Sequence, residues 1–135
     1  MTVVVDASAL VATLVGRDAD GLWSERVLAS ELLAGPEIVP AEASNVLRRL
    51  EQRGALTTAE AANAHVRLGE VSMALYSFNP FAERVWELRN NLSSYDAWYV
   101  ALAEALDCPL VTLDLRLSRS PGPACTFLTP PGEDV

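Results

Sequence analysis

The chain has 135 residues, of which half are hydrophobic and 21% are charged, and its formal net charge is −8. This length suits a single domain that buries roughly two thirds of its chain surface on folding. The strongly negative charge argues against a protein that grips nucleic acid through a broad basic face. All ten basic residues are arginine. The absence of lysine excludes mechanisms that need an amine, such as Schiff-base chemistry.

Neither the apolar runs nor the N-terminus indicates a membrane or secreted protein. No apolar run is long enough for a membrane span, and the N-terminus lacks the basic region and cleavage site of a signal peptide. We therefore expect a cytoplasmic protein. Cys108 and Cys125 form no Cys-x-x-Cys motif and are interpreted as small core residues. The single histidine, His65, has no second ligand nearby and is interpreted as a surface residue.

The first part of the chain alternates between strand and helix patterns. Apolar runs, helical spacing and Pro/Gly boundaries predict a strand at residues 2–5, a helix at 9–15, a second helix that follows Asp18 and Asp20 and runs to Leu33, a strand at 37–39 and a helix at 40–54. Gly35-Pro36 ends the second helix, and Pro40 suits the first turn of the third because its missing N–H costs nothing there. Asp6 follows the first strand, and Glu42 lies in the first turn of the third helix.

The second part continues the alternation. The same signals predict a helix capped by Thr57, a weak strand at residues 75–78, helices at 79–88 and 93–106, a strand at 109–113, one helical turn at 115–118 and an edge strand at 125–128. Ser93-x-x-Asp96 resembles a capping box, which places Asp96 in the first turn of its helix. Asp114 follows the strand at 109–113. We expect one domain at residues 1–128 and a short flexible tail at 129–135.

Four acidic residues are candidates for one site. Strands that alternate with helices predict an α/β fold with a mainly parallel sheet of about four or five strands, and ligands bind beyond the carboxyl ends of such strands. Asp6, Glu42 and Asp114 all lie at a strand end or in the first turn of the next helix, and Asp96 begins a helix in the same layer. We therefore expect the four acids to converge on one pocket.

Each acid also has a simpler explanation, as a helix cap or as a charge attracted to the positive end of a helix. Their coincidence is harder to explain in that way, because like charges held close together raise one another's pKa unless a cation lies between them. Carboxylate oxygens suit Mg²⁺ or Mn²⁺, which can activate a water for attack on a phosphodiester. Ser8 and Thr112 are interpreted either as contacts to metal-bound residues or substrate, or as ordinary capping and strand residues.

Four segments carry a family resemblance: residues 4–8 (VVDAS), 40–49 (PAEASNVLRR), 95–104 (YDAWYVALAE) and 110–114 (LVTLD). They resemble the PIN-domain family, and most closely the VapC-type toxins of bacterial toxin–antitoxin modules, over essentially the whole chain up to Leu128. The resemblance implies a three-layer α/β/α sandwich around a mainly parallel sheet. It also implies a Mg²⁺- or Mn²⁺-dependent endoribonuclease, a hydrolase that cleaves RNA phosphodiester bonds.

The resemblance assigns roles to the four acids. Asp6 and Asp96 match positions that bind the metal directly, and Glu42 and Asp114 match positions that bind it directly or through water. Thr112 and Ser8 match small hydroxyl residues near that site. Arg116 lies where such toxins often carry a basic residue, which is interpreted as a phosphate contact or as a surface ion pair.

The resemblance also implies partners. Such toxins are usually held inactive by a cognate antitoxin, here of the VapB type, and family members commonly form homodimers. We therefore expect an RNA substrate, an antitoxin and either a homodimer or a toxin–antitoxin hetero-oligomer, with no membrane contact. The acidic surface suits a basic partner. Apolar stripes around Leu22 and in the helix after Thr57 are interpreted as a groove for the antitoxin helix or as core packing.

Two other functions fit part of the pattern. A phosphatase or a phospho-acceptor receiver would also use an acidic pocket at strand ends, but both need a lysine, and Ser8 stands where the phosphatase pattern Asp-x-Asp has its second acid. A non-catalytic PIN-like binding module would share the fold. The loss of an acid would indicate such a module, and all four acids are present.

Overall fold

The computed structural model describes residues 1–132, and in this part of the chain one sheet of five parallel strands forms the centre. The strands are β1 (Thr2–Val5), β2 (Leu32–Pro36), β3 (Met73–Tyr76), β4 (Leu110–Val111) and β5 (Phe127–Leu128), in the spatial order β3-β2-β1-β4-β5. Every neighbouring pair is parallel. The predicted α/β class and the parallel sheet are confirmed. The division at residue 128 stays a prediction, and residues 133–135 of the predicted tail lie outside the described residues.

Helices flank the sheet in two groups. They are α1 (Ala7–Val15), α2 (Ala19–Leu28), α3 (Val39–Gln52), α4 (Thr58–Glu70), a 3₁₀ turn (Asn79–Phe81) followed by α5 (Ala82–Glu87), α6 (Ser94–Leu106) and the short α7 (Leu115–Ser118). Helix α1 contacts α2, α3 and α4, whereas α6 packs against β1, β2 and β4 and is contacted by α5. Among residues 1–132, no helix is both long and apolar enough to span a membrane.

The core lies where the two central strands meet α6. Val4, Val5, Leu110 and Val111 have no exposed surface, which explains why β1 and β4 read as continuous apolar runs and not as alternating ones. Leu102 on α6 is also fully buried. Burying a side chain of this kind stabilises the fold by about 1.5–3 kcal/mol. These contacts fix α6 on the sheet.

The predicted second helix is wrong at its C-terminal end, and the strand that follows was placed too late. Helix α2 ends at Leu28, Ser30 has a left-handed φ of 65°, and the strand is β2 at Leu32–Pro36. Residues 37–38, predicted as part of a strand, form a turn. Leu32 fits the apolar spacing of a helix, but in the fold it pairs with Thr2 of β1. A short apolar run does not by itself distinguish helix from strand.

Gly35 determines how closely α3 follows β2. A Cβ atom built on Gly35 would lie 2.8 Å from Cγ2 of Val39, the first residue of α3. Glycine therefore allows the tight connection that directs the first turn of α3, and with it Glu42, to the carboxyl end of the sheet. Pro40 lies in that first turn, as predicted.

The remaining differences are smaller. The predicted strand at residues 75–78 is β3 at Met73–Tyr76, and the strand predicted at 109–113 is limited to Leu110–Val111. The helix caps are confirmed: Thr57 forms a full capping box with Glu60, and the Oγ of Ser93 accepts a hydrogen bond of 3.1 Å from the backbone N–H of Asp96. The two cysteines, interpreted as small core residues, pack against the core and are partly exposed. His65 is exposed, as predicted.

We expect Leu102→Ala to lower the free energy of unfolding by about 3 kcal/mol, because it leaves a cavity between α6 and the sheet. The matched control is Leu22→Ala on α2, where the leucine is 51% exposed. This control should change stability by less than about 0.5 kcal/mol. Urea denaturation of both variants measures the difference. Equal losses would show that α6 does not depend on this buried contact.

Candidate functional site

The carboxyl ends of β1 and β4 lie side by side at the middle of the sheet. From β1 the chain adds β2 and then β3 on one side, and it later returns to place β4 and β5 on the other side. Ligands of parallel α/β sheets bind where the strand order reverses in this way. Asp6 follows β1 directly, and Thr112 follows β4 directly. The two residues therefore meet at this point.

Asp6 is the most buried acid of the four, with 8% of its surface exposed. One carboxylate oxygen, Oδ1, accepts hydrogen bonds from the backbone N–H of Ala9 at 3.0 Å and from the hydroxyl of Ser8 at 2.6 Å. The other, Oδ2, accepts a hydrogen bond from the hydroxyl of Thr112. The bond to Ala9 makes Asp6 the N-cap of α1, so the simpler explanation for this acid is also correct.

Thr112 joins the two halves of the site. Its hydroxyl, which is fully buried, donates to Asp6 and accepts a 3.0 Å hydrogen bond from the backbone N–H of Asp114. Asp114 in turn caps α7 through a 3.1 Å bond from the N–H of Leu117. The hydroxyl of Ser8 makes a second link, because it also accepts a 3.3 Å bond from the N–H of Leu113. Both hydroxyls predicted near the site thus support the acids directly.

Glu42 lies on the first turn of α3 and is held by a residue that the sequence analysis did not select. The buried hydroxyl of Tyr99, on α6, donates a 3.0 Å hydrogen bond to Oε1 of Glu42. Burial and the neighbouring Glu42 raise the pKa of Tyr99 well above its ordinary value, so the phenol remains a donor. The sequence offered one signal for Tyr99: it lies three residues after Asp96, so the two side chains share one face of α6.

Asp96 and Arg116 complete the group. Asp96 is half-buried in the first turn of α6, and Arg116 is exposed on α7. Arg116 is close enough for its charge to lower the pKa of Asp96, although burial and the charge of Asp114 have the larger, opposite effect. Within residues 1–132, Arg116 takes part in no ion pair. The interpretation of Arg116 as a surface ion pair therefore has no support in the described residues.

The four acids lie close enough for their charges to act on one another. Burial raises the pKa of Asp6, and the charge of Asp96 raises it further. Burial likewise raises the pKa of Glu42, with further contributions from Asp96 and Asp6. The pKa of Asp96 is raised by burial and then by Asp114. Three acids on separate elements therefore repel one another, and Asp114 adds its charge beside Asp96.

This donor set fits a hard divalent cation. All four side chains offer carboxylate oxygens, the ligands that Mg²⁺ and Mn²⁺ prefer. A cation among them would offset the repulsion between their negative charges. In residues 1–132, however, no three acidic, histidine or cysteine side chains are already grouped as a metal site. Metal binding by these residues stays a prediction.

The comparisons with known proteins decide the family. The PIN domain family matches residues 3–122. This chain belongs to the PIN-domain family. VapC ribonuclease Mb0985 of Mycobacterium bovis is 43% identical over 129 residues, which are 96% of this chain and 98% of that protein. The family predicted from the four sequence segments is therefore confirmed.

Solved structures confirm the PIN-like fold. VapC20 of Mycobacterium tuberculosis, a sarcin–ricin loop cleaving toxin, superposes with a TM-score of 0.64 at 19% identity, covering 86% of this chain and 92% of that one. A toxin–antitoxin complex from Klebsiella pneumoniae contains a chain that superposes with a TM-score of 0.64 at 18% identity, covering 95% of this chain and 97% of that one. At these identities the likeness concerns the fold alone.

We expect Asp6→Asn to raise the free energy of unfolding at about pH 7 when divalent cations are removed with EDTA. The folded-state pKa of Asp6 is raised, so the folded protein binds more protons than the unfolded one between the two pKa values, and stability falls as pH rises through that window. Asparagine is neutral, so it removes the free-energy cost of burying the ionised carboxylate. The gain over the parent should shrink as the pH falls below the raised pKa, which urea denaturation across the acid range measures.

Asp18→Asn is the control for this variant, because Asp18 caps α2 in the same way but is exposed. There the loss of charge removes a favourable interaction with the helix N-terminus without relieving burial, so stability should stay equal or fall slightly. A lower stability of Asp6→Asn at every pH would show that its hydrogen bonds outweigh the cost of its buried charge.

Tyr99→Phe should lower the free energy of unfolding by about 1 kcal/mol, because it removes the hydrogen bond to Glu42 and keeps the aromatic ring. The control is Tyr95→Phe on the same helix, where the tyrosine is 59% exposed. That change should cost less than about 0.5 kcal/mol. Chemical denaturation measures the free energy of unfolding of both variants. Equal losses would mean that the hydrogen bond between Tyr99 and Glu42 does not contribute to stability.

Proposed function

We propose that this protein is the ribonuclease toxin of a toxin–antitoxin module, a metal-dependent endoribonuclease that cleaves RNA phosphodiester bonds. The observation that carries the proposal is that buried or half-buried carboxylates on three elements, Asp6, Glu42 and Asp96, lie within electrostatic reach at the point where the strand order reverses. The name of the Mycobacterium bovis relative, a VapC ribonuclease matched over nearly the full length of both chains, supports RNA as the substrate.

Asp6 and Asp96 would hold a Mg²⁺ or Mn²⁺ ion directly, and Glu42 and Asp114 would do so directly or through water. The raised pKa values of Asp6, Glu42 and Asp96 support this assignment, since burial raises each of them first and a neighbouring carboxylate raises each further. When bound, such an ion lowers the pKa of a water and stabilises negative charge on the phosphodiester.

The other residues of the site hold these acids in place. Hydrogen bonds from Ser8 and Thr112 orient Asp6 and favour its ionised form, because they act against the effect of burial on its pKa. Tyr99 donates a hydrogen bond to Oε1 of Glu42, so Oε2 would be available to a metal ion. Arg116 would contact a phosphate of the RNA, since its guanidinium is exposed beside Asp96.

An antitoxin of the VapB type is the proposed regulator. The fold shared with a chain of the Klebsiella pneumoniae toxin–antitoxin complex supports it, and the net charge of −8 suits a basic inhibitory segment. A groove between the end of α1 and α4 offers a docking surface lined by Leu14, Val15, Ala64 and Val66. Leu22 is 51% exposed and is free for such a contact. Assembly as a homodimer or hetero-oligomer and a cytoplasmic location are parts of the same proposal.

Asp96→Asn should reduce RNA cleavage by at least about 100-fold, the scale on which one electrostatic contact to a transition state acts. The measurement is cleavage of a structured RNA pool by purified protein with Mn²⁺, with Mg²⁺ and with EDTA. Asp107→Asn is the matched control, because it makes the same change at the other, exposed end of α6. The parent and the control should cut equally, and only when metal is present.

Two results would contradict the proposal. Cleavage that persists in EDTA, or that is equal in Asp96→Asn, would remove the catalytic role of the acids. A parent protein that binds Mn²⁺ by calorimetry but cuts no RNA, in a preparation shown by mass spectrometry to contain no second protein, would favour the non-catalytic PIN-like binding module.

A further inference from the structure

Two cysteines, Cys108 and Cys125, each lie two residues before a strand, β4 and β5, at the sheet edge opposite to the acidic site. In this parallel pair, Leu110 stands opposite Phe127. Counting back two residues along each chain places Cys108 opposite Cys125. Neighbouring strands are about 4.8 Å apart, which lies within the range of about 4.4–6.8 Å between the Cα atoms of a disulfide.

Two further observations agree with this register. Cys108 and Cys125 line the same surface cleft, which also contains Glu104 and Asp107, and both thiols are partly exposed. The charge of Cys108 also contributes to raising the pKa of Cys125, so the two sulfur atoms lie within electrostatic reach of each other. Both thiols are therefore accessible from solvent through one opening.

The backbone on each side is already fixed in this alignment. The N–H of Leu110 donates to the carbonyl of Thr126 at 2.9 Å. The N–H of Ala124, just before the second cysteine, donates to Oε2 of Glu104 at 2.7 Å, and Arg84 holds that carboxylate with two hydrogen bonds of 2.7 and 3.1 Å. Little conformational freedom remains to be lost when the two sulfur atoms join.

We propose that Cys108 and Cys125 form a reversible intramolecular disulfide when the protein meets a small disulfide oxidant. This bond fastens together the two ends of segment 109–124, the segment that carries Thr112, Asp114 and Arg116. The pair is thus a thiol modification site that lies outside the acidic site. Its oxidation restrains the segment that carries Thr112, Asp114 and Arg116. The inference does not depend on the cleavage of RNA.

The chemistry balances as two thiol–disulfide exchanges. One cysteine thiolate attacks a sulfur of the oxidant, whose S–S bond breaks, so that a mixed disulfide forms and one small thiolate leaves. The second cysteine thiolate then attacks the protein sulfur of the mixed disulfide, which forms the Cys108–Cys125 bond and releases the second small thiolate. The protein loses two electrons to the oxidant, and its two thiol protons pass to the released thiolates.

The surroundings determine which oxidant serves as the probe. Arg84 offsets the charge of Glu104, and the exposed Asp107 keeps the cleft acidic, so a cationic disulfide such as cystamine is favoured over an anionic one such as oxidised glutathione. Burial raises the pKa of the Cys108 thiol, and it raises the pKa of Cys125 to about 11. The reaction is therefore run at about pH 9 to increase the thiolate fraction.

The test is intact-mass spectrometry of the full chain after exposure to cystamine and removal of the excess. We expect a monomer lighter by about 2 Da, the mass of two hydrogen atoms, with a peptide map that links Cys108 to Cys125. Excess dithiothreitol should restore the original mass. The oxidised monomer should also unfold at a temperature higher by about 5 °C, because the bond restricts the unfolded chain.

Cys108→Ser and Cys125→Ser are the matched controls, and each should stop at the mixed disulfide, with a gain of about 75 Da from one cysteamine group. A parent chain that instead accumulates two cysteamine groups would overturn the proposal, because the thiols would then react independently. Covalent dimers as the main product would also overturn it. An unfolding temperature that does not rise on oxidation would contradict the fastening of segment 109–124.

Discussion

The arrangement of the site depends on the hydrogen bonds that the buried carboxylate of Asp6 accepts from hydroxyl groups on both sides of the β1–β4 junction. The hydroxyl of Thr112 reaches it from the end of β4, and that of Ser8 reaches it from the start of α1. The same carboxylate caps α1. One side chain therefore caps a helix, links the ends of two strands and places a buried negative charge at their junction.

The fold keeps this arrangement although its electrostatics are unfavourable. Asp6, Glu42 and Asp96 come from three different elements, burial raises the pKa of each, and a neighbouring acid raises it further. Tyr99 offsets part of this cost at Glu42, and Thr112 does so at Asp6. Buried like charges lower the stability of a fold, so a protein that keeps them is expected to use them for function. A bound ligand that offsets the charges removes this cost.

Sequence reasoning found the acids but not all of their partners. Asp6 and Asp96 were recognisable because a carboxylate after an apolar strand or inside a first helical turn is a local pattern. Tyr99 was missed because an aromatic residue on the apolar stripe of a helix is typical of core packing. The strand β2 was misplaced for a related reason, since Leu32 and Leu33 satisfy helical spacing as well as strand pairing.

The sequence by itself determined the local features: the helix caps at Thr57 and Ser93, the alternation of strands and helices, and an inventory of charges without lysine. Only the tertiary structure decided the strand order. That order brings Thr112 beside Asp6, and the pairing of β4 with β5 brings Cys108 and Cys125 to one cleft. The reason is physical: propensities and caps act over a few residues, whereas strand pairing is selected by burial between segments far apart in the chain.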